Sequence, residues 1–321
     1  MKKFFALILL TGLILGCEKS YLLEESFPVP ERTLKGATAD YVVPDDFPTI
    51  QEAVSAAENG TTILVKEGVY PELIFMYVKE NITLIGQNAT ICPPDDLGPN
   101  GDGKKNINLY GCDNIKIMNF KFDGKFDNYS EYPVYCAIAF THSNGEASHN
   151  QIKGYHVGIA SYNLYGMMDL KLSNNKISDF NGQGINIIGD YKVEIDHNNI
   201  SCSFDDFFSH WYGIKMQGGT GIITKNLIKL KNDAEYPEYS AGIYLLKLCE
   251  NPAINDRIAG LENITISQNI INSTYTGVRV NTEEDWANGW SINGLKLLSN
   301  TFVKLDEGYL VYNYGVEYEV K

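Results

Sequence analysis

Along the second half of the chain the hydrophobic positions follow no helical period. They fall instead into a repeated phrase of aliphatic, two residues, asparagine, one residue, aliphatic. It reads Leu172-Ser-Asn-Asn175-Lys-Ile177, Ile195-Asp-His-Asn198-Asn-Ile200 and Ile223-Thr-Lys-Asn226-Leu-Ile228. It returns as Ile266-Ser-Gln-Asn269-Ile-Ile271 and, ending on Phe, as Leu297-Leu-Ser-Asn300-Thr-Phe302. A second phrase, glycine-aliphatic-x-aliphatic, follows the first four: Gly184-Ile-Asn-Ile187, Gly213-Ile-Lys-Met216, Gly242-Ile-Tyr-Leu245 and Gly277-Val-Arg-Val280. The asparagines recur at intervals of roughly 20–45 residues, the size of one unit in a stacked array.

Each unit holds short alternating runs rich in β-branched residues, separated by Asn, Gly and Asp. The pattern predicts an all-β chain folded as a single right-handed parallel β-helix, one coil of three short strands per repeat. The asparagines are expected inside, at a bend between strands, where amides of neighbouring coils bond one another. A buried amide without partners costs about 1–3 kcal/mol, so a lone asparagine is disfavoured there and a stack is self-consistent. Exposed turn asparagines in an ordinary sandwich are the alternative.

The segment Phe47-Pro-Thr-Ile-Gln-Glu-Ala-Val-Ser-Ala-Ala57 has the period of a short helix. Ile50, Val54 and Ala57 share one face, and Thr49 is placed to cap the N-terminus. An open strand edge invites another chain to pair, so a helix before the strand Thr61–Lys66 serves as an end cap. The runs Gly68-Val-Tyr-Pro-Glu72 and Asn81-Ile-Thr-Leu-Ile-Gly86 follow as the next strands. These phrases, with the asparagine repeats, resemble the pectate-lyase-like superfamily of right-handed β-helices over residues 41 to about 305. That resemblance implies the architecture and a polysaccharide-binding groove along one sheet. It implies less about activity, because the shared residues cap and stack coils rather than do chemistry.

The N-terminus reads separately. Lys2 and Lys3 precede an apolar run from Phe4 to Leu15, then Ile14-Leu-Gly-Cys17, in the order of a bacterial lipoprotein signal. Residues 1–16 are expected to be removed, Cys17 acylated, and residues 17–40 to tether the β-helix of residues 41–321. A plain signal peptide with a chance cysteine is the alternative. The expected location is the bacterial cell envelope, with the membrane reached through the N-terminal lipid alone. The charge count is 26 basic against 40 acidic side chains, a formal net charge of −14, which opposes nucleic-acid binding. The chain is read as a monomer. Cys92, Cys112, Cys136, Cys202 and Cys249 would remain after processing. Their odd number argues against a full disulfide framework and favours small apolar fillers, although two stacked cysteines could still pair. The five histidines have no zinc-like spacing.

Candidate chemistry comes from strand parity. If both aliphatics of the glycine phrase point inward, the residue between them points outward. Asn186, Lys215, Tyr244 and Arg279 then form one outer column, with Gln217 and Asn281 two residues further on. By the same alternation Trp211 and Tyr275, two residues before the glycine, join that face, with His156 and Tyr162 a coil earlier. β-Elimination from a uronate-containing glycan needs a carboxylate clamp, a base and an acid. Arg279 suits the clamp, Lys215 or Tyr244 the base, and Trp211, Tyr275, Asn186, Gln217, Asn281 and His210 the sugar contacts. Calcium is a possible cofactor, with Asp205, Asp206 and Glu283 as ligands.

Other activities of the superfamily leave little trace. The Q-D-T and D-F-I-F-G phrases of pectin methylesterases are missing, as is the arginine signature of common calcium pectate lyases. Of the polygalacturonase motifs only Asp205-Asp206 followed by His210 is echoed. Three readings stay open: a polysaccharide lyase first, a non-catalytic glycan-binding or adhesive lipoprotein second, and a hydrolase using Asp205 or Asp206 third. Two long insertions, Lys231–Ser240 and Lys247–Leu261, flank the Gly242 strand beside the column.

Overall fold

The computed structural model describes residues 39–97, 104–125, 134–202, 211–230, 240–246, 260–272, 276–280 and 292–303, and the backbone of 311–313 and 318–320. Every strand pairing in it is parallel, and strands pair with strands one coil away rather than with sequence neighbours. The coil has three faces. One is a nine-stranded sheet from Gly68–Pro71 to Thr301–Val303. The other two are joined, because Val157–Ser173 and Gln183–Asp196 run through the corner between them. One of that pair carries Ile74–Tyr77, Lys105–Tyr110, Cys136–Thr141, Tyr212–Gln217, Ala241–Leu246 and Thr276–Val280, and it is called the site face below.

The interior is aliphatic because period-two alternation puts one side of each strand inside. Ile185, Ile187, Ile214, Met216, Ile243, Leu245, Val278 and Val280 are all 0% exposed, as the glycine phrases predict. Burying each such side chain stabilises by roughly 1.5–3 kcal/mol. Cys92, Cys112, Cys136 and Cys202 are buried and form no disulfide among the described residues; Cys249 lies outside the described residues.

The asparagines form the expected ladder. Asn175, Asn198, Asn226 and Asn269 are buried, and each donates both its backbone N–H and its Nδ2 to the Oδ1 of the next. Each Nδ2 also reaches back to a carbonyl of the preceding coil, as Asn198 does to Leu172 at 2.8 Å. The stack starts one rung earlier than the phrase suggests, at Asn150, which donates the same two bonds to Asn175 Oδ1 and accepts at its own Oδ1 from the Phe120 N–H. The bend that turns each rung inward is a left-handed residue just before it: His149, Asn174, His197, Lys225, Gln268 and Ser299 all have φ between 52° and 57°.

The end cap is the helix Ile50–Ala56. Thr49 Oγ1 accepts from the Glu52 N–H, and Ile50, Ala53 and Val54 are its buried side. The Glu72 carboxylate accepts from the Ile50 and Gln51 N–H groups at 3.1 and 3.0 Å, satisfying donors that a helix start leaves open. The helix does not precede the first strand. Tyr41–Val43 comes before it and pairs with Ile63–Val65, a three-residue run too short to stand out in sequence.

Candidate functional site

The glycine of the repeated phrase decides which side chains reach the site face. It points inward: a Cβ on Gly213 would lie 2.6 Å from Ile228 Cγ2, and on Gly242 2.5 Å from Ile271 Cγ2. Glycine and the following aliphatic therefore both face inside, and simple alternation fails at that point. The residue immediately before the glycine turns out instead. This corrects the sequence expectation for Trp211, which is 0% exposed and offers no face to a sugar. Its indole N–H has no partner among the described residues. Tyr212 takes the outer place, a residue that was missed and that the inward glycine would have revealed.

The outer column itself is continuous. Asn186 is paired with Lys215, Lys215 with Tyr244, and Tyr244 with Arg279. Tyr212 fills the space beside it, its ring centroid 4.8 Å from that of Tyr244. Lys215 Nζ lies 5.7 Å from the Tyr212 ring, and Arg279 Cζ 5.2 Å from the Tyr244 ring. Two phenol rings tilted at 36° to each other lie between two cations and form one small cluster, because a ring face attracts a positive charge. Tyr212 and Tyr244 pack there with Ala241 and Leu246 in an apolar patch separate from the interior.

Burial sets the chemistry of these groups. Tyr212 is 7% exposed, and desolvation pushes its hydroxyl well above the usual phenol range. Tyr244 adds to that shift, and Arg279 partly offsets it. Tyr212 therefore stays protonated at neutral pH and acts as a donor rather than a base. Tyr244 is 5% exposed, so the column exposes mainly its cations, Lys215 and Arg279, which are half-buried. Asn186 is 7% exposed, and its Oδ1 has no partner among the described residues. Gln217 is half-buried and in register with Ile188 and Leu246. His156 is half-buried against Tyr135, and burial lowers its pKa below the usual imidazole value.

Asp205, Asp206, His210, Tyr275, Asn281 and Glu283 lie outside the described residues, as do Cys17, the N-terminal signal and residues 231–239 and 247–259 of the two insertions. Among the described residues no group of three or more His, Cys, Asp or Glu could hold a metal ion, and no helix is long and apolar enough to cross a membrane.

No family model matches the chain, and no curated protein sequence matches it either. Solved structures do. A pectin methylesterase in complex with a hexasaccharide superposes with a TM-score of 0.57 at 14% identity, covering 86% of this chain and 94% of the other. Pectin methylesterase from Erwinia chrysanthemi gives 0.55 over the same shares, also at 14% identity. The Aspergillus niger enzyme gives 0.51 at 14% identity, with 85% and 88% covered. The fold is thus one that these pectin methylesterases share, a parallel β-helix.

Proposed function

We propose that this carbohydrate-active β-helix binds an acidic polysaccharide on the site face and cleaves it by β-elimination at a uronate. The observation that supports this is the cluster of Lys215, Tyr212, Tyr244 and Arg279, two cations and a protonated phenol on adjacent coils. Arg279 holds the uronate carboxylate, which drains charge from C5 and makes its proton removable. Lys215, in its neutral form, takes that proton. The C5–H electron pair becomes the C4–C5 double bond, and the C4–O bond breaks. Tyr212 gives its proton to the departing oxygen. Proton return from Lys215 to the Tyr212 phenolate, its neighbour at 5.7 Å from ring to nitrogen, resets the site. Positioned acid and base groups of this kind contribute about 10²–10⁴-fold each.

The test is ultraviolet absorbance of the unsaturated product from pectate, alginate and glycosaminoglycans, each with and without calcium. Product should appear with at least one of them. Lys215→Ala and Tyr212→Phe should then lower kcat by about a hundredfold with KM little changed, and Arg279→Ala should also raise KM. Absence of absorbance from every glycan would end the lyase reading. Retained binding without cleavage would leave a glycan-binding module, and new reducing ends without absorbance would point to hydrolysis and to Asp205 or Asp206.

A further inference from the structure

The cationic cluster occupies the C-terminal coils of the site face. The N-terminal coils of the same face carry a different feature, a connected row of exposed aromatic rings. Phe75 and Tyr77 have centroids 6.3 Å apart and nearly parallel planes, and Tyr77 lies 5.9 Å from Tyr110 in the next coil at 21°. His142 continues the row edge-on, 5.7 Å from Tyr110 and 5.4 Å from Tyr162, and Tyr165 lies 4.6 Å from His142. Tyr77 and Tyr165 are 62% and 75% exposed. Isolated surface aromatics are ordinary, but six linked across four coils are a contiguous patch of the kind that marks a binding surface.

We infer that this row is an extended subsite for the same polysaccharide chain, running along the solenoid axis away from the cleavage point. The inference rests on the proposed function. Three observations support a glycan as the occupant. First, the row and the cationic cluster share one face: the register from Phe75 runs through Asn108, Ala139, Ala160 and Asn186 to Lys215, and that from Tyr77 through Tyr110, Thr141, Tyr162 and Ile188 to Gln217, two residues along the strand from Lys215. At about 4.8 Å per coil, the track from Tyr77 to the Arg279 coil spans roughly 30 Å, enough for a chain of several sugars. Second, four of the six rings are the exposed tyrosines Tyr77, Tyr110, Tyr162 and Tyr165, and a phenol offers both an apolar face and a hydroxyl to a polyhydroxylated chain. Third, the net charge of −14 opposes docking on an anionic membrane surface.

The test uses oligogalacturonates and alginate oligomers of graded length, bound to wild type, Tyr77→Ala/Tyr110→Ala, Tyr165→Ala and Arg279→Ala. Wild-type affinity should rise with length. The double variant should lose about tenfold on the longest oligomers and under twofold on the shortest, while melting at the wild-type temperature. Arg279→Ala should lose affinity at every length. If the double variant matches wild type at all lengths while Arg279→Ala still weakens binding, the row is no subsite and the cationic site stands. If Arg279→Ala also binds normally, the proposed function fails with it. Loss of self-association or of binding to phosphatidylcholine vesicles in the double variant, with glycan affinity intact, would overturn the inference in favour of those partners.

Discussion

The ladder gives a stability prediction that does not depend on function. Asn198 Oδ1 accepts two bonds from Asn175, from its backbone N–H and its Nδ2, both at 3.0 Å. Asn198 Nδ2 donates to Leu172 O at 2.8 Å and to Asn226 Oδ1 at 2.9 Å. In Asn198→Ala the Asn175 N–H loses its acceptor while 0% exposed, and the Leu172 carbonyl loses its amide donor. Asn175 Nδ2 keeps Ala147 O, and Asn226 Oδ1 keeps the Asn198 N–H, so those two groups stay satisfied. Two buried polar groups stripped of a partner at about 1–3 kcal/mol each place the loss near 2–6 kcal/mol. Asn199, next along the chain, is half-exposed, and its backbone bond to Asn175 O survives substitution. Asn199→Ala should therefore cost about 0.5 kcal/mol or less. Equilibrium urea denaturation of both variants decides the matter. A loss under about 1 kcal/mol for Asn198→Ala, or equal losses for the two, would refute a ladder carried by side-chain amides.

Gly213→Ala should destabilise by about 1–3 kcal/mol or more, since its Cβ would meet Ile228 Cγ2 and Gly242 O at 2.6 Å; a melting temperature unchanged from wild type would show that the glycine does not face inside. Burial pushes the Cys136 thiol from 9.0 up to about 12. The folded state then keeps a proton that the unfolded chain releases, so stability should fall as pH rises through that window, by up to about 1.4 kcal/mol per unit for this group. Cys136→Ala should flatten the alkaline slope whatever it does to stability at neutral pH, and identical slopes would mean the thiol is not held protonated. Replacing Lys225, which has φ of 52°, by glycine should leave stability unchanged or raise it by about 1 kcal/mol, measured in the same urea titrations; a clear loss would mean the Lys225 side chain supports the bend.

What sequence could show was whatever depended on repetition. The asparagine stack and the inward aliphatics were legible because a chain of like coils must put like residues in like places. Asn150 escaped because alanine, Ala147, stands where the other rungs have a large aliphatic. Trp211 was misplaced for a different reason. Alternation holds only while the backbone stays a regular strand, and at Gly213 two consecutive residues face the interior. Tyr212 went unseen through the same break. Apart from Tyr162 the aromatic row was invisible, because Tyr77, Tyr110 and His142 come from coils in which the two phrases are incomplete and of unequal length. Only the coil-by-coil register brings them side by side.

The asparagine stack also has a direction. Every rung sends its donors toward the C-terminus and receives at its oxygen from the rung before, so each interior coil presents one acceptor behind and two donors ahead. A coil excised between two rungs would leave the flanking asparagines able to bond each other as they bonded the missing one, and a duplicated coil would insert without an unpaired end. At the front the sequence stops cleanly, because Phe120 supplies only a backbone N–H to Asn150 and has no amide with which to carry the series further. The molecule is in this sense built like a ruler with a fixed zero: its length is free to change by whole coils while the rest of the scaffold stays as it is.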